Sequence, residues 1–215
     1  NYAPITGDVA NPSVTELKEM IAGSMAAQNR AVTAQDYKAM VYAMPPSFGS
    51  IKRCSIHRDS DSFRRNINLY VLSQDSDGYL STTNVSVKNN LKTWLGQNKV
   101  INDTIDILDA KVVNIQIKYT AVSVLGFNRF DVMVKADAAL RSLLRQKMDI
   151  GESFNVGQIY TTLNGVTGIS DVRDVRIINI NSTGYSGISF SIEDNTTPDG
   201  RFIMVPKNVA LEVKY

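Results

Sequence analysis

Cys54 and His57 are the only cysteine and the only histidine in the chain, and they lie three positions apart. A thiolate nucleophile with an imidazole base would need both side chains on one side, within hydrogen-bond reach. On a regular strand, residues three apart point to opposite faces. Cys54 shares its face with Ile56, which predicts a small core residue rather than a reactive thiol. One His and one Cys do not make up the ligand set of a zinc site either. Asp75-Ser-Asp77-Gly78 has the opening of a calcium loop, but the places of the invariant Gly and the bidentate Glu hold Leu80 and Ser86, so it reads as a polar turn. Gly165-Val-Thr-Gly168 and Gly184-Tyr-Ser-Gly187 lack the Lys-Ser/Thr of a phosphate loop and the spacing of a dinucleotide fingerprint. Asp103, Asp106 and Asp109 have no visible partner of matched role. No catalytic, cofactor-binding or metal-binding residue is assigned, and the chain is not read as an enzyme.

The densest basic cluster is Lys52, Arg53, Arg58, Arg64 and Arg65. A single-strand nucleic-acid site would interleave such cations with stacking aromatics, and only Phe63 qualifies. The stretch between Arg58 and Arg65 therefore reads first as a solvated charged loop and next as a protein contact. A nucleic-acid-binding α+β module using it is the alternative function, ahead of an α+β enzyme.

The elements that must position these residues follow from periodicity. Ser13-Val-Thr-Glu16 reads as a capping box before a helix carrying Leu17, Ile21 and Met25 on one face. Thr33-Ala-Gln-Asp36 opens a second helix with the stripe Tyr37, Met40, Val41 and Met44, ended by Pro45-Pro46. After Gly49 the period falls to two: residues 51–57 and 67–72 read as adjacent strands, with a turn at 74–78. Val87, Leu91, Trp94 and Leu95 trace a helix that is expected to close at Gly96. Val113, Ile115, Ile117 and Tyr119 alternate with Asn114, Gln116, Lys118 and Thr120, and this strand is expected to pack on the helix bearing Leu91 and Trp94. A long helix from Asp131 turns Ala136, Leu140, Leu143 and Leu144 inward. A short one capped by Asn155 carries Val156, Ile159, Tyr160 and Leu163 and stops at Gly165. Residues 172–180, 188–192, 202–205 and 209–213 read as strands, with a turn at Pro198-Asp-Gly200.

The order ααββαβααββββ predicts an α+β fold of mixed sheets and packed helices in two small lobes hinged near Gly126. The expected organisation is an N-terminal helical segment over residues 1–48, a first lobe over 49–126 and a second over 127–215. A content of 43% hydrophobic and 20% charged residues belongs to a folded protein. A net charge of +2, from 23 basic and 21 acidic residues, gives no basic footprint for nucleic acid. No apolar run approaches the roughly 18 residues of a membrane span. The chain opens at Asn1 without an initiator Met and is read as a fragment of a longer protein. The single cysteine rules out an internal disulfide framework and fits assembly in a reducing compartment.

Two of these motifs occur in an order that resembles a known family. Asn29-Arg-Ala-Val-Thr-Ala-Gln-Asp-Tyr37 resembles the R-x-V-T-x-x-D-Y signature of the baseplate J-like family, and Pro46-Ser-Phe-Gly-Ser-Ile51 looks like its loop into the first strand. Gly151-Glu-Ser-Phe154, Ile159, Leu163, Gly168-Ile169 and Val172 are similar to its late G-x-x-F…I…GV-x-x-V segment. Ile169 stands where that pattern has Val, and Phe48-Gly49 where Pro-Gly is commoner. The wording is closest to baseplate wedge subunits of T-even-type contractile-tailed phages, in their C-terminal portion. The resemblance implies a structural virion protein of the tail baseplate, assembled in the host bacterial cytoplasm. It also implies homodimers, ring-forming contacts with other wedge proteins, and a part in the conformational switch at contraction. No cofactor, small-molecule substrate, membrane or nucleic-acid partner is expected. The first guess for a self-association patch is the segment after Ile180.

Overall fold

The computed structural model describes residues 30–59, 66–76, 78–144, 148–182 and 184–213, together with Val14, Leu17, Lys18, Ile21, Ala22 and Met25. These last six are helical, and Leu17, Ile21 and Met25 are exposed. The capping box at Ser13 and Glu16 lies outside the described residues, as do Phe63, Arg64, Arg65 and Asp77. Helices and strands mix throughout, giving the expected α+β class. Contacts divide the chain into two compact units, Asn1–Lys111 and Val112–Tyr215. Gly126 lies inside the second, in the turn after its first strand.

The first unit is a mixed sheet covered by helices. Strand β1 (Arg53–Arg58) pairs antiparallel with β2 (Asn66–Gln74), and β3 (Leu80–Ser81) extends the end of β2. Strand β4 (Thr104–Asp109) joins the other edge of β2 in parallel. Parallel neighbours need a crossover, which the helix Val85–Asn98 supplies. Register places apolar residues opposite one another: Cys54 faces Val71, Ile56 faces Leu69, and Ile67 faces Ile105. That side is the core, closed by α1 (Ala34–Tyr42) and the crossover helix, here α2. Thr33 and Asp36 cap α1 reciprocally, as their spacing predicts: the Thr33 hydroxyl accepts from Asp36 N–H at 3.2 Å, and Asp36 accepts from Thr33 N–H at 2.8 Å. Trp94 Nε1 donates to the Met40 carbonyl at 2.9 Å and ties α2 to α1. Gly49, at φ +112°, must be glycine for a second reason: a Cβ there would stand 2.6 Å from Val87 Cγ2.

The second unit is built on β5 (Lys111–Ser123), which lies between β7 (Ile169–Asn179) and β9 (Val209–Glu212). Helices α3 (Arg129–Leu144) and α4 (Val156–Asn164) fill the connection from β5 to β7. The short pair β6 (Phe154–Asn155) and β8 (Phe202–Ile203) adds to the same core. Val113 and Ile115 are buried with Ala136, Leu140, Ile159 and Leu163.

The structure departs from the sequence pattern in three places. The inward face of β5 packs with α3 and α4, while Leu91 and Trp94 belong to the core of the first unit with Met40, Val71 and Leu69. The alternation of β5 identifies a buried face but not the helix that buries it. Helix α2 runs through Gly96 to Asn98, because the Asn98 carbonyl receives Ala31 N–H at 2.9 Å and Leu95 remains buried. Residues 188–192 form no strand. Asn179 Nδ2 donates to the carbonyls of Ile188 and Phe190 at 3.0 and 3.4 Å, so a side chain takes the place of a ladder partner.

Candidate interaction surface

The residues with chemical potential are drawn into packing. Cys54 is 1% exposed in the core of the first unit, and its N–H donates to the Tyr42 hydroxyl at 3.2 Å. His57 turns to the other face of β1, where its Nε2 meets Ser55 Oγ at 2.8 Å and its ring stacks obliquely by Tyr70. The three carboxylates near β4 diverge. Asp103 is buried and accepts from the Tyr37 hydroxyl at 2.8 Å, which, after burial itself, holds that phenol above its ordinary pKa. Asp106 accepts from Asn66 Nδ2 at 2.7 Å, and Asp109 pairs with Lys88 at 2.6 Å. Asp75 closes the expected turn, with Gly78 N–H donating to its carbonyl at 2.9 Å. Lys52, Arg53 and Arg58 lie on or beside β1, with Arg53 Nη1 donating to the Lys52 carbonyl at 3.2 Å. Among the described residues, no three of His, Cys, Asp and Glu gather closely enough to hold a metal.

A different surface stands out in the second unit, where large apolar side chains remain in solvent. Leu125 is 99% exposed, Phe130 75% and Val134 64%, with Met133 and Phe127 about half exposed. The sequence produces this ridge because α3 is apolar on two sides. Val132, Ala136 and Leu140 follow i, i+4, i+8 into the core, whereas Phe130 and Val134 repeat at i, i+4 on the opposite side. The connection from β5 is held in place at Gly168, whose carbonyl accepts Val124 N–H at 2.9 Å. Inverting the inward-stripe reading would have found the ridge: Phe130 and Val134 are the apolar residues it leaves over. Patches of this kind mark contact surfaces more often than monomeric exteriors.

Beside the ridge, an open groove of about 560 Å³ separates β5 from α3. Arg129, Val132, Met133, Ala136 and Asp137 present one helical stripe to it, β5 contributes Ile117 to Ala121 and Ser123, and β7 contributes Ile169. The Tyr119 hydroxyl donates to Asp137 Oδ1 at 3.2 Å across the groove. Burial, and then the charge and hydrogen bond of Asp137, push the Tyr119 phenol up to about 12, so it remains a neutral donor under physiological conditions. On the opposite face of β5, Asn114 anchors the loop after β7: its Oδ1 accepts from Ser186 N–H at 2.7 Å, and the Ser186 hydroxyl donates to the Val112 carbonyl.

No protein-family model matches the chain. No curated protein matches it. Among solved structures, a chain in the cryo-EM structure of the anti-feeding prophage (AFP) baseplate, 6-fold symmetrised, superposes with a TM-score of 0.56 at 11% sequence identity. The superposition covers 95% of this chain and 42% of that one. At this identity the likeness establishes a shared fold, and this chain corresponds to less than half of its neighbour.

Proposed function

We propose that this chain is a structural subunit of a contractile-tail baseplate and acts through protein contacts rather than catalysis. The observation that carries the reading is the fold shared, over nearly the whole chain, with a component of the anti-feeding prophage baseplate structure. The two ordered motifs, in residues 29–37 and 151–172, favour the baseplate J-like family and the wedge of T-even-type phages. In this reading the chain is a portion of a larger wedge protein, located in the virion tail. Copies of it dimerise, contact other wedge proteins around the tail tube and take part in the switch at contraction. The apolar ridge of Leu125, Phe130 and Val134 supplies the kind of surface such a subunit needs, since interfaces are cored by apolar and aromatic side chains. A switch that uses no nucleotide must draw its free energy from contacts that differ between two states.

The reading is tested by quantitative mass spectrometry of purified contractile-tail particles, with and without the gene that encodes the parent chain. Intact particles should contain its peptides at a fixed ratio to other baseplate proteins, and the deletion should leave tails without complete baseplates. Normal particles from the deletion strain would refute it.

A further inference from the structure

The sheet of the first unit ends on two open edges, and each is the complement of the other. Just past β1, the Asp59 N–H donates to the Asn66 carbonyl at 3.0 Å, so odd-numbered residues turn their peptide groups toward β2. Even-numbered residues of β1 face outward. The Tyr42 hydroxyl meets the Cys54 N–H there, whereas the N–H and C=O groups of Ile56 and Arg58 have no hydrogen-bond partner among the described residues. On the far side of β2, the Ala110 N–H donates to the Val71 carbonyl at 3.3 Å. Even-numbered residues of β4 therefore face β2, and Ile105 and Ile107 turn their peptide groups to the outer edge. Both edge strands are six residues long.

Their side chains already stand in common rows. His57 lies opposite Asn68, and Asn68 opposite Asp106; Ile56 lies opposite Leu69, and Leu69 opposite Ile107. Strand β1 runs against β2 and β4 runs with it, so β1 and β4 are antiparallel. A second copy that continues the sheet without a slip sets its β4 beside β1 in the same rows. Its Ile107 comes against Ile56 on the helix-covered face, and its Asp106 against His57 on the other face. The outward peptide groups then bond as the closely spaced antiparallel pairs of Ile56 with Ile107 and Arg58 with Ile105. On the face away from the helices, β1 carries Arg53 and His57 and no carboxylate, whereas β4 carries Asp106 and no cation. Asp106 accepts from Asn66 Nδ2 and has no salt-bridge partner among the described residues. We infer that the chain associates head to tail with copies of itself, β4 of one adding to the open edge of β1 of the next. The same charges turn away an edge of their own kind. Each copy keeps one edge of each kind, so growth closes as a ring or continues as a filament. The inference rests on the reading that copies of this chain assemble together, and its failure would leave a place in a baseplate standing.

The test is sedimentation velocity of the intact chain carrying Phe130→Glu, which disables the apolar ridge and leaves the sheet edges as they are. The weight-average sedimentation coefficient should keep rising with concentration, past that of a dimer. Arg58→Pro removes an outward amide and no bond to β2. Asp106→Lys sets a cation against His57 and leaves the backbone intact. Each should weaken self-association about fivefold or more, with unchanged circular dichroism. Mixed in equal amounts where each alone is monomeric, the two variants should form a dimer and nothing larger, since one keeps its β4 edge and the other its β1 edge. Amide exchange followed by NMR, with neither edge substituted, should slow at Ile56, Arg58, Ile105 and Ile107 as concentration rises. Growth that stops at a dimer, undiminished association of either variant, or a mixture that stays monomeric would overturn the proposal. So would protection that leaves those four amides unchanged.

Discussion

At Gly168 a single hydrogen atom decides the packing of the second unit. The residue is buried at φ +104°, and a Cβ there would stand 2.7 Å from Val132 Cγ2 and 3.1 Å from the Phe127 ring. Gly168→Ala should therefore cost about 1–3 kcal/mol from backbone strain alone, read as a lower urea midpoint. Thr33→Ala should cost about 1 kcal/mol by removing the cap of α1. The Asp36 carboxyl is held below its usual range, first by the Thr33 backbone N–H. A carboxyl depressed on folding stabilises above its unfolded pKa, and that contribution is lost as pH falls through the lower folded value. Acid titration of the wild type should show this loss below about pH 4, and Asp36→Asn should flatten it. At this scale the sequence is highly legible where chemistry is local. The Thr33–Asp36 box and the burial of Cys54 follow from spacing alone. The Tyr37–Asp103 pair spans 66 positions, and no local signal announces it.

Among the elements, β5 carries the sharpest contrast. Ile115 is 1% exposed in the second core and Gln116 is in solvent. Ile115→Asp loses roughly 1.5–3 kcal/mol of burial and also places a carboxylate in an apolar site. It should abolish soluble folding of the second unit, while Gln116→Asp should leave the melting temperature nearly unchanged. Equal tolerance would mean that the buried face is misassigned. Strand alternation was legible here, yet the same alternation misled at residues 188–192. Ile188, Phe190 and Ile192 are half buried against the second core, but Asn179 engages the carbonyls of Ile188 and Phe190 in place of a ladder. Period two reports one buried face, not hydrogen-bonded pairing. Strand β4 has no matching expectation: Ile105 and Ile107 alternate, but Asp106 and Asp109 break the apolar pattern by which a strand is recognised. Acidic residues on an edge keep it from pairing with strands that offer them no basic partner.

For the whole molecule, a surface with Leu125, Phe130 and Val134 in solvent and a net charge of +2 has little long-range repulsion to keep copies apart. Sedimentation at micromolar concentration should show self-association that moderate salt weakens little, because apolar burial is not screened. Phe130→Glu should reduce it. A strictly monomeric species in both low and moderate salt would leave assembly to other parts of the parent chain. Phe130 and Val134 stand out in the sequence as the apolar residues that the inward stripe of α3 leaves over, but apolar residues on a helix announce burial without saying whether a second molecule provides it. The central claim, a structural place in a contractile-tail baseplate, is tested most directly by a cryo-EM map of the assembled tail that contains the parent protein. The account predicts density for this two-unit fold in repeated copies within the baseplate, with the ridge of the second unit covered by a neighbouring chain. A baseplate map fully explained by other proteins, with no copy of this fold in it, would contradict the account.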